Sequence, residues 1–339
     1  MTTLAIIGAG IAGRSLVYTL ANEQIRFDKI LLFYSDSFAS SCSLNSTAIV
    51  AARGVSSGMS PLGDMLQESF QDFKAHVLEK HPAGVSLVQQ YTGAHSKLEQ
   101  FKKRYPDGSE CSSAGGVRFK KLIYLASEDA FMFDPATYLD WLLLESQKKI
   151  SLELINDFVV GLDTSDKIQI KTQNGQMYTA DEISLTTGAA NRFWKNLLPG
   201  KLESSKPVQG SYLEFSVDLG MESLSLTLDG DNFIYDHAKS RLLIGSTTHD
   251  DIHQLAPVNE LKAIYARLQD QLEMKLPDFK TAQIKVGMRE KASKREPYLI
   301  EEDKISVIGG LYKNGYSLGM LMAKKLARKY SSSSSHPRP

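Results

Sequence analysis

The sequence predicts an α/β protein: a discontinuous Rossmann-like domain plus a smaller domain built on a largely antiparallel sheet. Three observations predict it. An apolar segment, residues 3–7, runs into Gly8-Ala9-Gly10-Ile11-Ala12-Gly13 and then into helical spacing of Leu16, Val17 and Leu20. Four short segments between residues 211 and 246 read as an antiparallel meander. A strand, loop and helix over residues 305–330 return to the α/β style of the opening, so the first domain is interrupted by the second.

Taken in order, the opening is strand, glycine turn and helix (residues 15–23), followed by a second apolar run at residues 29–34 that reads as a buried parallel strand. Met65, Leu66, Phe70, Phe73, Val77 and Leu78 give residues 61–79 one apolar helical face, and residues 98–104 form another helical piece. Asp134 as N-cap and Pro135 in the first turn open a helix through Leu139, Trp141, Leu142 and Leu143. Strands follow at 151–155, 157–163, 168–172 and 183–187 in a mixed block, with Asn174-Gly175 as a hairpin turn. The meander comprises 211–217, 223–228, 232–236 and 241–246, and residues 259–272 form a helix. Residues 331–339, with five serines before His336-Pro337-Arg338-Pro339, have nothing apolar to bury and are expected to be a disordered tail.

The chain has 339 residues, enough for about two domains. Lys and Arg number 39 and Asp and Glu number 39, so no bulk field draws the protein to nucleic acid or to an anionic membrane. No apolar run reaches the ~20 residues that cross a bilayer, and the glycine-interrupted start lacks the basic flank of a signal peptide. The expectation is a cytoplasmic protein with no membrane partner and no nucleic-acid partner. Cys42 and Cys111 stand outside any Cys-x-x-Cys or Cys/His cluster, and the spacing of His237, His249 and His253 is poor for a metal.

In the glycine turn, Gly8 permits the tight bend, Gly10 lets backbone N–H groups approach a pyrophosphate and Gly13 lets helix and strand close up. The pyrophosphate is expected at the helix N-terminus, on the backbone of Gly8, Gly10, Ile11, Ala12 and Gly13. A dinucleotide is the natural ligand. The acidic residue that ends the second strand in such units is replaced by Tyr34, so the ribose contact falls to Tyr34, Ser35 or Asp36, or Tyr34 covers the adenine.

Six further segments carry a family resemblance. They are Ile183-Ser184-Leu185-Thr186-Thr187-Gly188-Ala189-Ala190, Pro207-Val208-Gln209-Gly210, Leu242-Leu243-Ile244-Gly245-Ser246-Thr247, Val286-Gly287-Met288-Arg289, Pro297-Tyr298-Leu299-Ile300, and Gly309-Gly310-Leu311-Tyr312-Lys313-Asn314-Gly315-Tyr316. In this order they resemble the FAD-dependent D-amino-acid oxidase superfamily, in particular its glycine oxidase and sarcosine oxidase branch. The resemblance implies an FAD-binding domain over residues 1–75, 134–205 and 286–330, and a substrate domain over 76–133 and 206–285. It implies FAD neighbours at Val159, Thr187, Gly188, Gly310, Lys313, Asn314, Gly315 and Tyr316, the last loop bringing backbone donors against the flavin. It also implies that Arg289 pairs with a substrate carboxylate, a bidentate geometry that lysine does not reproduce. Two departures stand beside this. Glu290 replaces the family's proline, in a position to neutralise Arg289, and Arg295-Glu296 replaces Asp-Gly before Pro297.

The activity so implied is oxidation of the C–N bond of an amine or amino acid by hydride transfer to flavin N5, with no protein base required when the amine binds neutral. The electron acceptor is oxygen or another molecule. Sarcosine-type relatives tether FAD through a cysteine near the position of Arg289; no cysteine follows Cys111, so non-covalent FAD is expected. Two other readings stay open. Lys285, Arg289, Lys291, Lys294 and Arg295 form a basic run suited to a macromolecular substrate, as in tRNA-base demodification or protein maturation, and a non-catalytic FAD-binding paralogue would keep the same glycines. Phe233 and Tyr235 alternate as core residues of a strand do.

Overall fold

The protein is described by a computed structural model that covers residues 2–25, 27–36, 41–52, 58, 60–202, 205–250 and 256–333. The chain opens with β1 (Thr3–Ile7), α1 (Ile11–Asn22) and β2 (Lys29–Tyr34). A short β3 (Ile49–Val50) and α2 (Pro61–Lys80) precede β4 (Val85–Ala94), α3 (Leu98–Arg104), β5 (Ser109–Ala114) and β6 (Val117–Phe133). The middle runs through α4 (Pro135–Gln147), β7 (Leu152–Asn156), β8 (Val159–Asp163), β9 (Ile168–Thr172), β10 (Met177–Ala180) and β11 (Glu182–Leu185) to a 3-10 turn at Gly188–Trp194. Then come β12 (Lys206–Ser216), β13 (Leu224–Leu228), β14 (Asp231–Asp236), β15 (Arg241–Gly245) and α5 (Val258–Gln271). The last block is β16 (Gln283–Lys291), β17 (Tyr298–Glu302), β18 (Ile305–Gly309) and α6 (Gly315–Ser333).

Two large sheets organise these elements. The first has the order β17-β18-β11-β1-β2-β7, parallel throughout except for the edge strand β17. Leu4, Ile6, Ile30 and Leu32 face α1 and α6 on one side, while Ala5, Ile7, Leu31 and Phe33 face the small antiparallel sheet β10-β9-β8 on the other. Burial on both faces is why β1 and β2 read as continuous apolar runs. The second sheet has the order β16-β12-β15-β14-β13-β4-β6-β3, with β5 paired to β6, and α5 packs on one face through Leu261, Ile264 and Leu268. Phe233 and Tyr235 are fully buried on that face.

The fold is the α/β architecture expected, with differences in detail. β7 joins the parallel sheet beside β2, whereas β8, β9 and β10 leave it for a sheet of their own. Only β13, β14 and β15 form a meander, because β12 pairs with β15 and β16 and leaves the edge of β13 to β4. β16 pairs with β12 from Lys206↔Lys291 to Glu214↔Gln283, so an expected boundary at residue 286 falls inside a strand of the second sheet. α6 continues to Ser333, past the start of the expected tail at residue 331, and residues 334–339 lie outside the described part. Among the described residues no helix is long and apolar enough to cross a membrane.

Candidate active site

The glycine turn is built as its spacing requires. Gly8 has φ +107°, and a Cβ there would meet the Thr186 carbonyl oxygen at 2.7 Å. A Cβ on Gly13 would lie 2.0 Å from the Gly8 oxygen, so only glycine lets α1 start this close to β1. Gly10 caps α1 without a side-chain hydrogen bond, and no acidic residue stands in the first turn. The positive end of the helix dipole is therefore not neutralised from within the turn, as a pyrophosphate site demands. Ile11 and Ala12 turn their side chains into the core and offer only backbone. Arg14 braces the turn from behind, donating to the Ala9 oxygen and to Asp140, each at 2.8 Å. These features fit a dinucleotide.

Tyr34 is half-buried at the end of β2, opposite Asn156 of β7, and Ser35 follows it toward the surface. No carboxylate ends β2; the next stands at Asp36, and Asn156 engages it, donating to Oδ2 at 2.8 Å and accepting from the Asp36 N–H at 3.2 Å. Val159 is buried at the start of β8. Thr187 donates both its N–H and its hydroxyl to Asn191 Oδ1, at 3.0 and 2.7 Å. Gly188, at φ +56°, faces open space.

In the C-terminal loop the expected cofactor neighbours also make bonds within the chain. The N–H of Gly310 donates to Glu290 Oε2 at 2.9 Å. Tyr316 is buried against Phe133 and Tyr138, and its hydroxyl donates to the Ser43 carbonyl at 2.7 Å. Asn314 serves α6, receiving the Leu318 N–H on its carbonyl at 2.8 Å. Gly315 lies against Ile11, where a Cβ would come within 3.2 Å, so the last helix seats directly on the first.

Arg289 is half-buried on β16, opposite Val208 of β12, and leans along the sheet so that its guanidinium lies flat over Gly210. A Cβ on Gly210 would meet Cζ at 2.4 Å and both terminal nitrogens at 2.5 Å. Nη1 is sealed from solvent without a hydrogen-bond partner among the described residues. Such a donor is costly unless a ligand takes it.

Glu290 does not neutralise Arg289. Successive strand residues face opposite ways, and Glu290 points to the loops. It accepts from the Tyr298 hydroxyl at 2.5 Å, from Asn191 Nδ2 at 3.1 Å and from Gly310 N–H at 2.9 Å, and is almost fully buried. Burial raises its carboxyl above the usual range, and the surrounding donors offset that only in part.

The segment at residues 41–48 gave no motif in the sequence, yet it joins every other part. Ser43 Oγ accepts the Ile11 N–H at 2.9 Å, and the Asn45 oxygen would lie 3.0 Å from a Cβ on Gly287. Cys42 lies against Arg289; burial raises its thiol, opposed by the guanidinium beside it. The only available signal was the run of small polar residues Ser41-Cys42-Ser43 just after β2. Of the basic run, Lys285 pairs with Glu214 at 3.4 Å and Lys291 with Asp250 at 3.6 Å. His249 faces Glu260 at 2.6 Å, His253 lies outside the described residues, and no group of three metal-ligating side chains occurs among the described ones.

Comparisons with known proteins follow the same lines. Residues 3–329 match the family model described as FAD dependent oxidoreductase. Among solved structures, iminodiacetate oxidase (IdaA) from Chelativorans sp. BNC1 is similar at a TM-score of 0.78 and 19% identity, covering 99% of this chain and 97% of that one. Glycine oxidase from Geobacillus kaustophilus is similar at 0.78 and 17%, covering 98% and 95%. L-alpha-glycerophosphate oxidase from Mycoplasma pneumoniae, a dithionite-reduced structure with FAD bound, is similar at 0.78 and 15%, covering 98% and 95%. No curated protein sequence matches the chain.

Proposed function

The chain belongs to the family of FAD-dependent oxidoreductases, and from that premise we propose that it oxidises the C–N bond of a small amine or amino acid bearing a carboxylate. One observation carries the reading: the Arg289 guanidinium is laid over Gly210 with Nη1 buried and unpartnered among the described residues, a planar donor fork of the kind a carboxylate pairs with. We assign the cofactor to the first sheet and the substrate wall to the second. The N-terminus of α1 holds the pyrophosphate, Tyr34, Ser35 and Val159 border the adenosine end, and Thr187, Gly188 and the 310–316 loop border the ring.

FAD, when bound, accepts the hydride from the carbon next to nitrogen, and oxygen or another acceptor takes the electrons onward. Arg289 fixes the carboxylate, and thereby the position of that carbon, through two parallel N–H···O bonds. Gly210 leaves the guanidinium no obstruction. Glu290, Asn191 and Tyr298 keep the 187–191 and 310–316 segments in register behind the site. No protein carboxylate is given the role of base, since Glu290 faces away and a neutral amine needs none. Water hydrolyses the imine product.

The macromolecular alternative has less support, because Lys285 and Lys291 of the basic run are paired with acidic side chains. The test is the visible spectrum of the purified protein, followed by anaerobic mixing with glycine, N-methyl amino acids and D-amino acids. A yellow protein bleached by one of them is expected, releasing free FAD on denaturation. A yellow protein that none of them bleaches defeats the reading and favours a macromolecular substrate or a non-catalytic role.

A further inference from the structure

Two cations at this site have no carboxylate to answer them among the described residues. The Tyr312 N–H donates to the Glu290 carbonyl at 3.1 Å, so the 310–313 loop runs beside the end of β16, where Lys291 shares a strand face with Arg289. The Lys313 and Lys291 ammonium groups each stand 5.7 Å from the Tyr312 ring centroid. Lys291 is offset by Asp250, which also pairs with Lys206. Lys313 forms no ion pair among the described residues, and neither does Arg289. Glu290, the adjacent carboxylate in the chain, is committed to the opposite face of β16. Burial, and then the charges of Arg289, Arg295 and Lys291, pull the Lys313 ammonium below the usual lysine range. Like charges gathered in a half-buried place are unfavourable until anions arrive, and a carboxylate held bidentate by the planar Arg289 fork is turned toward that fork, which leaves Lys313 to a second anion.

We propose that the substrate carries two anionic groups, the first held by the planar fork of Arg289 and the second by the point charge of Lys313. The preferred substrates are then amines with two carboxylates. This rests on the amine-oxidising reading above and names the substrate class of the same site.

The experiment compares anaerobic flavin reduction in the holoenzyme by iminodiacetate and both enantiomers of aspartate with reduction by glycine, sarcosine and both enantiomers of alanine. The expected result is a preference of about tenfold or more, in reduction rate over Kd, for the best dicarboxylate. Lys313→Met is expected to lower that value by about tenfold more than it lowers the value for the best monocarboxylate, and Lys313→Arg to restore the preference. Equal reduction by mono- and dicarboxylates overturns the proposal and leaves amine oxidation standing. A Lys313→Met variant that weakens all substrates alike puts the lysine on the flavin or on a single shared carboxylate, and also overturns it. If no amine reduces the flavin while dithionite does, the amine-oxidising reading falls, and this inference with it.

Discussion

Strand β16 turns two adjacent charged residues to opposite faces and treats them in opposite ways. Glu290 is enclosed by donors from Tyr298, Asn191 and Gly310. Arg289 is laid over a glycine, with Nη1 buried and unbonded among the described residues. A polar group whose partners are all supplied by the chain holds the structure together, whereas one left short at a buried position awaits a ligand. The same strand thus separates scaffold from site within two residues, and substitutions on the two faces should have different signatures.

The largest effect is expected from Glu290→Ala, which strands three donors around a cavity. A loss of about 3–5 kcal/mol in urea unfolding is expected, with weaker FAD retention. A loss under about 1 kcal/mol would deny Glu290 its structural part. Next, Arg289→Met should keep FAD and fold but lower kcat/KM for carboxylate-bearing amines by about two to three orders of magnitude, as loss of a buried charge-assisted pair does. Full activity in that variant breaks the comparison. Gly210→Ala is smaller: the new methyl displaces the guanidinium, and KM should rise by about tenfold with the flavin spectrum unchanged. The smallest is a slope. Because the Glu290 carboxyl titrates above its ordinary range in the folded protein, its contribution is complete below the unfolded carboxylate pKa and is lost as pH rises through the folded value. Wild type should therefore lose stability relative to Glu290→Gln as pH rises through that interval. Parallel stability curves for the two proteins would remove the basis for this slope.

Legibility in the sequence followed the range over which each feature is specified. The β1-turn-α1-β2 unit could be read because its glycines and its two doubly buried strands are local signals. Strands β4 and β6 could not. β6 runs seventeen residues with Lys120, Lys121, Glu128 and Asp129 interrupting its apolar positions, and its order comes from pairing with β4 and β5 rather than from its own pattern. Cys42, Ser43 and Asn45 carry no periodicity, and their place is set by contacts with Ile11, Gly287 and Tyr316, which lie far away in the chain. For Glu290, the departure from the family pattern was visible but its direction was not, because the face of a strand residue depends on register with β12.

The order β17-β18-β11-β1-β2-β7 has a consequence for the growing chain. β1, α1 and β2 are made first, but β11 stays without its outer neighbour until β18 is translated, and α1 lacks α6 until later still. A nascent chain that already carries the glycine turn therefore exposes apolar surface of β11 and α1, including Leu16 and Leu20, which the finished protein hides. Ser43 likewise waits for the hydroxyl of Tyr316. The glycine turn is translated well before α6, the helix that covers α1, so this unit is completed late in synthesis.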